Sequence, residues 1–299
     1  VTRQHQLASY AIRDLDSYDE LRECVAIQER TWGPDFTELV PAAMLWVATR
    51  TGGVVAGAFD QDTRMVGFVF GVSGYRNGRP LHWSDMLAVL PEARGAGLGQ
   101  ALKRHQRLVL LARGIRDMYW TFDPLEARNA WLNLARLGAV SREYVPDCYG
   151  ASSSPLHAGL ATDRLVAHWK LDAARVRRRL GEETDAGPAP AAAPATPPVN
   201  QPATASPAPP VDPPEAPLIN PPGRLDLELR APLVRLRIPA DIQALKQTDL
   251  EAARAWRAET RAAFQAYLGR GYGVVEILRE ESGSSYLLAD PEAYAALSS

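Results

Sequence analysis

Apolar positions in the first 180 residues recur at two periods. β-rich runs, alternating or continuous, occur at "ASYAIRDL", "GVVAGAFD", "MVGFVFGVSG", "LHWSDMLAVL" and "IRDMYWTF", and again at "SREYVPDCY" and "RLVAHWKL". Helical spacing fills the gaps. "SYDELRECVAIQERTW" opens with a capping box, Ser17 and Glu20, and carries Leu21, Cys24 and Ile27 or Gln28 on one face. "PAAMLWVATRT" is a second short helix. A third runs from Leu98 to about Arg113 with Leu98, Ala101, Leu102, His105, Val109 and Ala112 as its stripe. "RNAWLNLARLGA" is a fourth, ending at Gly138 as C-cap. "QDTR" reads as a hairpin turn. The order β-α-α-β-β-β-α-β-α-β-β predicts an α/β (α+β) fold with a mixed sheet flanked by helices.

The pattern then breaks. Residues 185–223 are rich in Pro and Ala and hold no aromatic residue. Such a segment cannot bury enough apolar surface to offset its ordering entropy, so it is expected to be an extended, largely disordered linker. No arginine or aromatic anchor flanks the prolines, which favours a spacer over a peptide ligand. The expected organisation is a domain over 1–180, the linker, and a part over 224–299. In that last part "LVRLRIP" reads as a strand. "TDLEAARAWRAETRAAFQAYLGRGY" reads as a helix capped by Thr248 and Glu251, striped with Ala253, Trp256, Thr260, Phe264 and Tyr267. "YGVVEIL" and "SSYLLA" read as a hairpin. This β-α-β-β part has too thin a core to stand alone. It is expected to dock on the first domain or on a partner subunit, which leaves room for a homodimer.

Charge and composition narrow the function. A net charge of −2 gives no basic field for nucleic acid or an anionic membrane. Two cysteines, Cys24 and Cys148, make neither a disulfide framework nor a metal site. The first residues lack a signal-peptide core and no apolar run spans a bilayer, so a cytoplasmic location is expected.

The candidate chemistry begins at "PEARGAGLGQALKRHQ". Gly95, Gly97 and Gly99 fall in five positions, between a strand and a helix. Glycine there permits positive φ and close approach of a ligand. The first turn of a helix offers unpaired N–H groups and the positive end of the dipole, and the two together make a phosphate cradle. An ordinary tight turn needs fewer glycines. No Gly-Lys-Ser/Thr follows, and G-x-G-x-G is not the dinucleotide G-x-G-x-x-G.

The stretch resembles the GNAT acyltransferases, which use acetyl-coenzyme A. Their motif, Arg/Gln-x-x-Gly-x-Gly/Ala, is met by Arg94-Gly95-Ala96-Gly97-Leu98-Gly99. The preceding strand ends "LAVLPE" and the element order is the family's. A later helix carries Asn129 and ends Gly138-Ala139, where the family has Gly-Phe. The resemblance covers about residues 8–171. "WTFDPLEARNAWLNLARLGA" also resembles a subgroup of predicted acetyltransferases with a similar tail, which argues that the tail belongs to the fold.

The resemblance implies a mostly antiparallel sheet and transfer of an acetyl or other short acyl group to an amine, without a metal. The amides of Gly95, Ala96, Gly97, Leu98 and Gly99, with Arg94, would hold the pyrophosphate. Leu87, Ala88 and Val89 would pair with the pantetheine arm, and Asn129 would bond the cofactor or cap its helix. An amine acceptor, with a pKa of about 10, must lose a proton before attack, and the thiolate that leaves, pKa about 8.5, gains from protonation. Asp85, placed by alternation on a face with Trp83, Leu87 and Val89, is the candidate base, or else a structural carboxylate. His82 falls on the opposite face as an ordinary half-exposed residue. The family's usual acid, a Tyr, is Leu134 here, which leaves Tyr144 and Tyr149 as substitutes or as buried packing. Trp32, Asp35 and Phe36, in the loop after the first helix, would wall the acceptor site. The alternatives are an acyl-CoA-binding sensor without turnover and a partner-recruiting interaction protein.

Overall fold

The Ser17–Glu20 capping box forms as read: Ser17 Oγ accepts from the Glu20 amide, and the Glu20 carboxylate accepts from the Ser17 amide. It opens α1 (Tyr18–Trp32), which follows β1 (Ala11–Asp14). The computed structural model describes residues 7, 9–33, 36–150, 159–182, 216–280 and 283–298. The described chain divides into two compact units. One runs to Trp120 and includes Lys170–Asp172; the other holds Thr121–Trp169, Ala173–Glu182 and the residues from 216 on.

The first unit continues with α2 (Ala42–Arg50), β2 (Val54–Phe59), β3 (Met65–Arg76), β4 (Arg79–Val89), α3 (Leu98–Ala112) and β5 (Asp117–Phe122), of which the first four residues belong here. Strands β1 to β4 pair antiparallel in chain order; β4 and β5 are parallel, as a helical crossover requires. Leu21, Ile27 and Leu45 of α1 and α2 pack with Phe68, Phe70, Met86 and Leu90. Helix α3 supplies Ser84's partners on the other face.

Two expectations fail in this unit, and both failures shape the site. Phe70 pairs with Met86 and Gly71 with Ser84, so Asp85 is an extra residue, a β-bulge. A bulge resets strand alternation. Ser84 reaches α3, while Met86 and Ala88 lie in the α1–α2 cluster. Trp83 stands opposite Val72 and Leu87 opposite Val69, three residues apart and so on opposite faces of β3. The shared face expected for Asp85, Trp83, Leu87 and Val89 does not exist. The stripe of α3 is also rotated: the buried residues are Leu98, Leu102, Lys103, Gln106, Arg107 and Leu110. Polar side chains take the inward positions because a partner awaits each. Arg107 Nε, for example, donates to Leu171 O at 2.6 Å.

The second unit holds α4 (Ala127–Ala130), which passes into a π-helical turn at Trp131–Arg136, then β6 (Val140–Val145), β7 (Arg164–Lys170) and α5 (Ala174–Leu180). Next come β8 (Leu233–Ile238), α6 (Ile242–Thr248), α7 (Leu250–Gly269), β9 (Gly273–Glu280), β10 (Gly283–Ala289) and α8 (Pro291–Leu297). Its strands run β7-β6-β9-β10-β8, all antiparallel. The expected boundary at residue 180 is therefore corrected. β6 of the resembling region pairs with β9 of the tail, and Val140 shares a core with Val275, Leu287 and Ala289.

The linker's end is corrected too. Ala216, Ile219 and Asn220 are buried, and Asn220 donates to Arg237 O and accepts from the Arg237 amide. Residues 185–215 lie outside the described residues. Helix α7 is capped by Asp249, which accepts from the Ala252 amide, and not by Thr248, whose hydroxyl closes α6 by bonding Ala244 O and Leu245 O. The sequence reading passed over α5, α6 and α8, each only 7 residues long.

Candidate active site

The glycine stretch forms a turn that is open at Gly95 and covered by Leu7 at Gly97, where a Cβ would stand 2.9 Å from Leu7 Cδ1. Gly95 and Gly97 both have φ of +89°, and Gly97 is the N-cap of α3 with no side chain bonded there. Gly99 lies inside the first turn. Among the described residues, no acceptor takes the amides from Gly95 through Gln100; the first helical bond runs from Ala101 N to Gly97 O. Free amides at the positive end of a helix dipole favour an anion. Arg94, exposed, bends its Nε back onto Val89 O at 3.0 Å and ties the cradle to the end of β4.

Strand β4 opens beside the cradle. It shares two register pairs with β5, His82 with Met118 and Trp83 with Tyr119. Beyond them the bulge turns β4 away. Leu87, Ala88 and Val89 pair with Val69, Phe68 and Gly67 on the β3 side, and no β5 register continues opposite them among the described residues. Such an edge accepts an extended chain as an added strand.

Asp85 marks the start of this edge. It is exposed, and no donor among the described residues holds its carboxylate. The protein atoms crowded around the carboxyl still raise its pKa by desolvation.

Behind the bulge lies a buried polar chain that the sequence reading missed. Lys103 Nζ donates to Ser84 Oγ at 2.7 Å, and Ser84 donates to Gln106 Oε1 at 2.9 Å. Gln106 Nε2 is 3.0 Å from His82 Nε2, and His82 Nδ1 is 3.0 Å from Ser73 Oγ, which donates to Gly52 O. The donor and acceptor roles along this chain agree if His82 is neutral and protonated on Nδ1. Burial, then the charges of Lys103 and Arg113, lowers His82 to about 3. His82 is thus fully buried, not half-exposed, and Gly71 is what admits it: a Cβ there would stand 2.2 Å from His82 Nε2. Lys103 has no carboxylate among its partners; its ammonium stands 3.8 Å from the centre of the Trp120 ring. Burial pushes Lys103 well below the ordinary ammonium range. The available signal was the strict four-residue spacing of Leu98, Leu102, Gln106 and Leu110.

The other expected residues are placed as follows. Trp32 and Phe36 meet at 5.3 Å between ring centres, tilted by 31°, and lean on the α1–α2 core; Asp35 lies outside the described residues. Asn129, Tyr144 and Tyr149 belong to the second unit. Asn129 is exposed within α4, does not cap it, and accepts from Asn133 Nδ2 at 3.3 Å. Tyr144 donates to Asp163, which Arg261 also grips, and burial together with that bond raises its phenol above the ordinary range. Tyr149 is 45% exposed, which removes the packing role, and its hydroxyl lies 2.7 Å from Thr121 Oγ1. Leu134, at the family's acid position, is fully buried. A cleft of about 410 Å³ runs along α7 beside Arg254, Arg257 and Arg261, but each of those guanidinium groups already faces a carboxylate: Glu251, Asp123 and Asp163. No described helix is long and apolar enough to cross a membrane.

No family model and no curated protein matches the sequence. Among solved structures, the chain is similar to the ribosomal-protein-S18-alanine N-acetyltransferase of Escherichia coli, at 16% identity and a TM-score of 0.43, over 55% of this chain and 96% of that one. It is similar to a GNAT superfamily phosphinothricin acetyltransferase from Sinorhizobium meliloti, solved with acetyl-CoA, at 20% identity and 0.42, over 54% and 87%. A third is a GNAT-family acetyltransferase from Streptococcus pneumoniae, at 19% and 0.43, over 53% and 98%.

Proposed function

We propose that the protein is an acyl-CoA-dependent N-acyltransferase. The observation that carries this reading is the run of amides from Gly95 through Gln100 that meet no acceptor among the described residues, together with the stretch of β4 where no β5 register continues among them. One end suits a pyrophosphate and the other an amide-bearing arm. In this reading Leu87, Ala88 and Val89 bond the pantetheine, and a β4 amide polarises the thioester carbonyl. Asp85 takes the proton of the attacking amine, directly or through water. Trp32 and Phe36, with Asp35, flank the acceptor, and Asn129 assists the cofactor.

A second reading, an acyl-CoA-binding protein without turnover, is favoured by Leu134 at the usual acid position and by the engagement of Tyr144 with Asp163. One experiment addresses both. Calorimetry should show acetyl-CoA binding well below millimolar ligand, and pooled amines should then release free CoA thiol. Binding without release selects the second reading. No binding at millimolar ligand refutes both.

A further inference from the structure

The β4–β5 register ends at Trp83 and Tyr119. The next residue on each strand, Ser84 and Trp120, is the point where the strands part. Lys103 Nζ stands between these two residues, 2.7 Å from Ser84 Oγ and 3.8 Å from the Trp120 ring centre. A lysine amine is thus held beneath the apex of the split. From Val89, beside the cradle, back to Ser84 is about 16 Å of strand. A pantetheine arm anchored by its pyrophosphate at Gly95–Gly99 and laid along β4 brings its sulfur end to this apex.

We propose that Lys103 is the proton donor to the sulfur that leaves during acyl transfer. The inference rests on the acyl-CoA reading and deepens it. As the acceptor nitrogen forms its bond to the acyl carbon, the C–S bond breaks and its electron pair stays on sulfur. The Lys103 ammonium gives that sulfur one proton, yielding CoA thiol and a neutral amine. The proton lost by the acceptor nitrogen passes to Asp85 and then to water, and Lys103 regains its own from water when CoA leaves. The assignment fills the role vacated at Leu134. It also gives a reason for a lysine with no carboxylate partner in a buried position, where an uncompensated charge is costly. An amine whose burial eases deprotonation suits a thiolate of pKa about 8.5.

The test uses the full chain and bromoacetyl-CoA, whose alkylating carbon is one carbonyl carbon away from the sulfur. The neutral form of that amine, in equilibrium with its ammonium, displaces bromide, forms an N–C bond and releases a proton, so the labelling is followed with rising pH. Peptide mass mapping should find the adduct on Lys103, suppressed by excess CoA. If calorimetry shows that the analogue binds but Lys103 stays unmodified, the proposal is overturned while the acyl-CoA reading stands. If neither CoA nor acetyl-CoA binds, the acyl-CoA reading fails and takes the proposal with it. In parallel, wild type should prefer CoA over desulfo-CoA, which carries hydrogen in place of the thiol, by at least about fivefold. Lys103→Met should bind both alike, with desulfo-CoA affinity retained. A structural lysine would leave that ratio unchanged, which would also overturn the proposal. Should Lys103→Met fail to fold, the labelling of wild type decides.

Discussion

Asp85 and His82 lie three residues apart on β4, and their environments act on them in opposite ways. Desolvation raises Asp85 and lowers His82, because burial disfavours the charged form of each. If Asp85 is the base, it must be ionised to act. The acid limb of kcat/KM should then lie above the ordinary aspartate value of 3.8. Asp85→Asn should lower turnover by roughly 10²–10⁴-fold with acetyl-CoA affinity unchanged, as kinetics and calorimetry on the same preparation would show. Unchanged turnover would remove Asp85 from the mechanism. His82 bears on stability. Its folded pKa of about 3 lies below the ordinary 6.5, so the unfolded chain takes up a proton first as pH falls. The stability linked to His82 is complete above pH 6.5 and is lost as pH falls toward 3. Urea unfolding should show a loss of about 2 kcal/mol from pH 7 to pH 5 attributable to this group, absent in His82→Gln.

Among the elements, the start of α3 does two jobs that one substitution can separate. Gly95 and Gly97 need their left-handed backbone, so any side chain there disturbs both the turn and the cradle. Gly99 is different, because it already lies within the helix. Gly99→Asp adds a good first-turn residue, whose charge suits the dipole and repels a phosphate at the same place. The melting temperature should hold or rise, while acetyl-CoA affinity falls at least about tenfold. Equal affinity would show that the amides of Gly95–Gln100 hold no anion. At α7, Asp249→Ala should cost about 1 kcal/mol, because it removes the cap that accepts from Ala252 N. Thr248→Ala should leave that helix start intact, since its hydroxyl belongs to the end of α6.

The whole chain places the tail within the second unit. β9 pairs with β6, and Tyr286 of β10 donates to Pro124 O at 2.7 Å. A chain ended at residue 182 would leave the β6 edge and its apolar face uncovered, and should be recovered as aggregate. The proline-rich stretch should divide by position. Removing most of 185–215, with enough chain left to span the gap, should barely move the melting temperature. Extending the deletion through Asn220 should lower it clearly, because buried Ile219 and the Asn220–Arg237 bonds are lost. Equal melting temperatures for the two deletions would show that residues 216–220 contribute no stability.

The sequence by itself determined the elements whose causes are local. The Ser17–Glu20 box, the two periodicities, the turn after Asp60 and the strand–glycine–helix order of 81–112 depend on neighbours a few residues away, and they are legible for that reason. The left-handed turn at Gly95 and Gly97 was legible because glycine tolerates positive φ. Only the tertiary structure decided the rest. The bulge at Asp85 exists because β3 and β4 match across a register that no single strand encodes, and it separated Trp83 from the face of Leu87 and Val89. Lys103, Gln106 and Arg107 point inward because Ser84, His82 and Leu171 O wait there from 19 to 64 residues away. Apolar periodicity cannot register a buried polar group, whose stability comes from a partner remote in the chain. The tail joined β6 for a similar reason: its core is complete only when Val140 and Val275 meet.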